Sequence, residues 1–158
     1  IEWREYESLE WFLLDYPAHR QHQHYVRQLN RLYQETPALW QDDHSWEGFH
    51  WLDADDSVQS ILLFRRTGKE KTKAVTVLLN FQPEVYSDFR VGVPYAGYYR
   101  QLLSSDETEF GGSGKGSPGI LKAEPVPCHG EKWSVRVQVP PIGGILLQKI
   151  PRKRTNSK

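Results

Sequence analysis

Methionine is absent from this chain, which starts at Ile1, and the expectation is a piece of something longer. Cysteine occurs once, at Cys128, so no internal disulfide can form. That suits a reducing compartment, and the cytoplasm is the expected location. No apolar run approaches the ~20 residues that a membrane-crossing helix needs, and the first residues lack the basic and apolar regions of a secretory signal. A soluble chain without a membrane partner is expected. An excess of one charge is missing too, because 20 Lys and Arg balance 20 Asp and Glu. Without a global field there is nothing to recruit nucleic acid, and the basic cluster Arg152-Lys153-Arg154 belongs to a solvated tail over 152–158.

Tryptophan, by contrast, is abundant. Trp3, Trp11, Trp40, Trp46 and Trp51 all fall in the first third of the chain. Such a load predicts a surface that packs against a missing neighbour or stacks on a ligand.

Residues 1–40 read as helical. Ser8 is placed to cap a short turn through Trp11-Phe12-Leu13-Leu14, and Pro17 suits the first position of a second helix. From about Ala18 to Glu35 an apolar face forms from His22, Val26, Leu29 and Tyr33, joined by Tyr25 and Leu32, until Thr36-Pro37 stops it. After Trp46 the texture changes to short β-type runs broken by turn residues. The predicted strands are Phe49–Leu52, Ser57–Arg66, Ala74–Phe81, Phe89–Val93, Tyr98–Leu103, Ile120–Val126, Trp133–Val139 and Gly144–Ile150. Strands at this spacing predict a mainly β protein, an antiparallel β-sandwich preceded by helices.

The glycine-rich run Gly111-Gly112-Ser113-Gly114-Lys115-Gly116 invites a phosphate-binding reading and fails its requirements. Gly116 stands where a Walker loop needs Ser or Thr, Pro118 interrupts the Gly114-x-Gly116-x-x-Gly119 spacing, and no helix follows to supply a positive N-terminus. A surface loop is the expectation. His19, His22 and His24 are the densest metal-capable set, but on a helix His24 projects away from the other two, so no metal site is expected. No cofactor motif is found, and none is expected.

The carboxylate groups Asp53, Asp55, Asp56 and Asp106, Glu107, Glu109 sit in turn contexts, where Asp bonds to backbone. They do not read as the acid and base pair of sugar chemistry. Cys128 and His129 are adjacent, so in a strand their side chains would point to opposite faces. Trp40, Trp46 and Trp51, with Phe49 between, are the candidate sugar-stacking residues; the competing and favoured reading is that they cover the junction between helix and sandwich.

An ordered series of segments then carries a resemblance. It runs through Glu2-Trp3-Arg4, Ser8-Leu9-Glu10-Trp11, Val26-Arg27-Gln28-Leu29-Asn30-Arg31-Leu32-Tyr33 and Gly48-Phe49-His50-Trp51-Leu52-Asp53. It continues in Leu79-Asn80-Phe81-Gln82-Pro83, Val91-Gly92-Val93-Pro94, Gly97-Tyr98-Tyr99-Arg100, Phe110-Gly111-Gly112-Ser113-Gly114 and Val139-Pro140-Pro141. Together these resemble the C-terminal portion of bacterial-type 1,4-α-glucan (glycogen) branching enzymes, of the α-amylase superfamily.

The resemblance implies a division near residue 44. Residues 1–43 would be the helical end of a catalytic (β/α)₈ barrel, 44–151 the all-β C-terminal domain, and 152–158 a basic tail. The family's catalytic carboxylates would then lie on earlier barrel strands outside this chain, so the fragment alone is not expected to be an enzyme. Its expected partners are the rest of that barrel and an α-glucan. The other classes left open are an autonomous carbohydrate-binding module and a protein-interaction sandwich. The chain departs from the family's pattern at Leu103-Ser104-Ser105-Asp106 and Ser117-Pro118-Gly119.

Overall fold

A computed structural model describes residues 4–151, so Trp3 and the basic tail lie outside the described residues. The chain opens on a 3₁₀ turn, Trp11–Asp15, whose N-cap is Glu10 without a side-chain hydrogen bond, not Ser8. Pro17 explains why this turn stays separate. Its ring occupies the first position of the helix α1 (Pro17–Glu35) and holds Tyr16 extended, at ψ 133. The far end of α1 closes at Thr36, before a second 3₁₀ turn at Pro37–Leu39.

Eight strands follow among the described residues: β1 (Phe49–Asp56), β2 (Ile61–Arg66), β3 (Val75–Asn80), β4 (Tyr86–Val93), β5 (Tyr98–Ser104), β6 (Ile120–Lys122), β7 (Trp133–Val139) and β8 (Gly143–Lys149). All pairings are antiparallel. The sheets are unequal, one of six strands in the order β1-β2-β3-β8-β5-β6 and one of two, β4-β7. Residues 57–60, expected as strand, form a turn instead. Asp56 accepts from the Gln59 N–H at 2.9 Å and Ser60 takes a positive φ of 52, which ends the ladder before Ile61. β6 stops at Lys122 rather than reaching Val126, and Pro125 and Pro127, beyond it, have no N–H to give a ladder.

The main core lies between the two sheets. Ile61, Leu63, Leu78, Ile145 and Leu147 from the large sheet meet Val91, Val93, Val135, Val137 and Val139 from the small one. A second cluster lies on the opposite face of the large sheet, where Val75 and Val77 are buried beneath Ala38 and Leu39. β3 is therefore covered on both sides. This accounts for its continuous Val75-Thr76-Val77-Leu78-Leu79 run, which lacks the alternation of a strand with one wet face.

Asn80 closes the end of β3, its amide donating to Glu84 O at 2.9 Å and Pro140 O at 2.8 Å while its own oxygen accepts from Gln82 N at 2.9 Å. A buried amide survives there because every bond it needs is made.

Candidate functional site

The strand alternation of β1 separates the aromatic candidates. Trp51 pairs with Phe64 across β1 and β2, and His50 pairs with Arg65, so the two neighbours project to opposite faces. Trp51 packs against Phe49 at 4.9 Å and Phe64 at 5.8 Å between ring centroids, half-exposed on the outer face of the large sheet. Trp40 donates its indole N–H to Gln34 O at 3.3 Å, which fastens it to the last turn of α1. Trp40 thus sits at the junction between helix and sheet. Trp46 is different, because 93% of it is exposed. It borders a groove of about 260 Å³ lined by His50, Arg65, Thr67, Lys71 and Tyr95. The three indoles do not form one site.

The glycine-rich loop does bind an anion, and the anion is the chain's own. The Asp106 carboxylate accepts from Ser113 N at 2.8 Å, Ser113 Oγ at 2.7 Å and Lys115 N at 2.8 Å. Backbone N–H groups that could have cradled a phosphate are thus already occupied. This fold of the loop holds a 3₁₀ turn, Thr108–Phe110, against α1, with Gly111 at φ 88 letting the chain reverse beneath the helix. Phe110 lies 5.4 Å from the His24 ring and 5.3 Å from Tyr25, and His24 Nε2 is 3.2 Å from Glu109. His24 is thus turned toward the sandwich, away from His19 and His22.

Helix α1 consequently has two apolar faces. Tyr25 and Leu32 face the sandwich, while Val26 and Tyr33, from the face read in the sequence, remain 38% and 46% exposed. None of its residues is fully buried. Between α1 and residues 4–14 runs a groove of about 520 Å³, lined by Leu9, Trp11, Leu13, Leu14, His19, His22 and Val26. Leu9, Trp11 and Phe12 are each more than half exposed. Contiguous bare apolar surface of this kind marks an interaction face.

Cys128 and His129 are brought together, contrary to the strand expectation, because His129 takes a φ of 48 in a turn. Cys128 Sγ lies 3.5 Å from His129 Nδ1, and His129 Nε2 lies 3.9 Å from Asp53. The grouping resembles a nucleophile, base and orienting acid, but its electrostatics run the wrong way. Burial pushes the Cys128 thiol up and His129 below the ordinary histidine value, against the pull of Asp53, so both stay neutral. The Gly92 N–H also donates to the same Nδ1, at 3.2 Å, which uses the lone pair a base would need. The arrangement is structural.

It has a consequence for stability. An imidazole whose folded pKa is lowered leaves the unfolded chain to bind the proton more readily, so its contribution is complete above the ordinary value of 6.5 and is lost as pH falls toward the lowered value. The melting temperature is expected to fall between about pH 7.5 and pH 5, and to fall less in His129→Asn, since Asn tolerates positive φ and keeps an acceptor for Gly92. Thermal melts across that range check it; equal slopes would remove His129 from the explanation.

Two sheets thus pack face to face, and a helical segment covers the outer side of the larger one. Residues 51–149 fit the family model described as the alpha amylase, C-terminal all-beta domain. The chain belongs to this family. It is similar to a 1,4-alpha-glucan branching enzyme GlgB of Desulfitobacterium hafniense (strain Y51), 45% identical over 148 residues, 94% of this chain and 23% of the relative. It is also similar to proteins of the same description from Gloeobacter violaceus, 41% identical over 94% of this chain and 20% of the relative, and from Oceanobacillus iheyensis, 38% identical over 97% and 24%. The match lies in the C-terminal part of those relatives.

The chain therefore spans between a fifth and a quarter of the length of these curated relatives. Because the likeness covers nearly the whole chain, it reaches beyond the all-β domain into the helical segment before residue 51. No helix among the described residues is long and apolar enough to cross a membrane.

Proposed function

We propose that this chain is the C-terminal accessory portion of a cytoplasmic 1,4-α-glucan branching enzyme. In this reading residues 1–43 are the helical end of the parent's catalytic barrel, 44–151 are the all-β domain, and 152–158 are a tail. The observation that carries it is the bare apolar groove between residues 4–14 and α1, in a chain whose relatives are four to five times longer. An amphipathic helix that buries nothing on its outward face needs a partner, and the rest of the barrel supplies one in the same polypeptide.

The parent would cleave an α-1,4 glucan, hold the cut piece as a covalent glycosyl-enzyme and transfer it to a 6-hydroxyl. The chemistry belongs to carboxylates on the barrel. Three of the aspartates singled out in the sequence are engaged with backbone: Asp53 accepts from Asp55 N, Asp56 from Gln59 N, and Asp106 from the glycine-rich loop. The role of this portion is to hold the barrel's last helix by Phe110 and Glu109. A second role, contact with the glucan itself, is favoured by the bare indole of Trp46.

The test is an iodine-stained amylose assay on the 158-residue chain alone and on the complete parent. The parent is expected to lower iodine binding and the chain alone to leave it unchanged. Branching by the chain alone would sink the proposal.

A further inference from the structure

The geometry points to the groove beside Trp46 as a site for one or two sugar units of an α-1,4 glucan, with Trp46 as the stacking platform. The inference rests on the branching-enzyme reading for the kind of sugar, and on this chain alone for the place. Trp46 is held out rather than left loose. Ser45 Oγ donates to Asp42 at 2.7 Å and takes the Glu47 N–H at 3.2 Å, and Gly48 N donates to Ser45 O at 3.2 Å. Both flanks are fastened to β2 and the residue after it. Arg66 grips Asp42 O and the Asp43 carboxylate, and the Thr67 N–H donates to Gly48 O at 3.0 Å.

Gly48 is required for this packing, because a Cβ there would come within 1.8 Å of the Asp42 carbonyl oxygen. The loop that carries this 93% exposed side chain already has its backbone bonded in place, so binding has only the indole's own rotation left to fix.

The chemistry around it is that of a sugar site. A hexose offers an apolar ring face edged by hydroxyls, so it asks for one flat aromatic surface and a rim of mixed donors and acceptors. Trp46 supplies the first. His50, Arg65, Lys71, Glu47 and Tyr95 supply the second. Arg65 is fixed by an ion pair with Glu131, both side chains largely buried, so the rim is rigid on that side. At about 260 Å³ the groove is smaller than a typical drug-sized pocket of ~300–1,000 Å³, which limits it to a short stretch of chain.

The groove at α1, by contrast, is lined by several large apolar side chains, as a protein partner requires. Trp51 and Trp40 are less suited to a sugar. The first is packed edge-on against Phe49 and Phe64, and the second is tied to the helix end.

Isothermal titration of the chain with maltoheptaose, and with cellohexaose as its β-1,4 counterpart, tests the inference. Binding of maltoheptaose in the millimolar range is expected, weakened about tenfold or more in Trp46→Ala, the scale of one lost aromatic contact, and unchanged in Trp51→Ala. Because Trp46 is so exposed, Trp46→Ala should melt with the wild type, and a thermal scan separates lost binding from lost folding. Undiminished binding in Trp46→Ala, loss in Trp51→Ala instead, equal binding of cellohexaose, or no binding at all would each overturn the inference. None of these results touches the amylose assay of the parent, which stands or falls separately.

Discussion

Val75→Asp is expected to destabilise this chain strongly. Val75 is 0% exposed, and it lies on the face of the large sheet turned toward Ala38 and Leu39, outside the core between the sheets. An ionised carboxylate there would lie among apolar side chains, and the cation opposite it across the ladder, Arg66, is already held by the Asp43 carboxylate. The cost of such an unpaired buried charge is about 3–5 kcal/mol, a large part of the ~5–15 kcal/mol that holds an ordinary domain. For a chain of this size that corresponds to a melting temperature lower by roughly 6–20 °C.

Ile120→Asp is the control, since Ile120 is 70% exposed on the edge strand β6 and should shift the transition by little. Circular dichroism melts of both variants decide the point. If Val75→Asp melted like Ile120→Asp, the helical segment would not be a true cover of that face.

The second large effect is expected at Asp106. Three hydrogen bonds converge on its carboxylate from Ser113 and Lys115, and the Asp106 carbonyl accepts a further one from Gly114 N at 2.7 Å. Bonds to a charged acceptor are worth about 1.5–3 kcal/mol each when buried, and this site is partly open to water, so Asp106→Ala is expected to cost roughly 2–4 kcal/mol in all. Asp106→Asn should recover part of that, because the amide oxygen still accepts.

The damage should also travel. The loop positions Phe110 against His24 and Tyr25, so amide hydrogen exchange should accelerate both in residues 107–116 and in the middle of α1. Faster exchange confined to the loop would mean that Phe110 does not hold the helix.

Much of this was legible in the sequence, for physical reasons that differ from element to element. Helix α1 declared itself by Pro17 at its first position and by Thr36-Pro37 at its end, and the structure agrees to within one residue. β7 was read without error, because Trp133-Ser134-Val135-Arg136-Val137-Gln138-Val139 alternates and its apolar set faces the core. The turn at 57–60 was not legible. Ser57-Val58-Gln59-Ser60 looks extended by composition, and it is turned by the Asp56 side chain reaching Gln59 N together with the backbone bond from Ser60 N to Asp56 O.

The division of eight strands into six and two was hidden as well, since it depends on which non-consecutive strands pair, and β3 with β8 leaves no local trace. At the candidate sites the indoles were visible but not their separation, although the alternation His50, Trp51 already placed those two on opposite faces. The internal anion of the glycine loop could have been suspected from Asp106 lying at its entrance. The contact of Cys128 with His129 could not, since it hangs on one positive φ.

Leu9, Trp11 and Phe12 before α1 and Val26 on it stay exposed together, and under the function proposed above the rest of the barrel covers them. The direct measurement is complementation: the parent enzyme truncated before this segment is mixed with the 158-residue chain and assayed for branching of amylose. Neither piece should branch amylose alone, the mixture should regain activity, and Trp11→Asp with Val26→Asp in this chain should abolish the gain. Full activity in the truncated parent without this chain would show that the bare face serves something else.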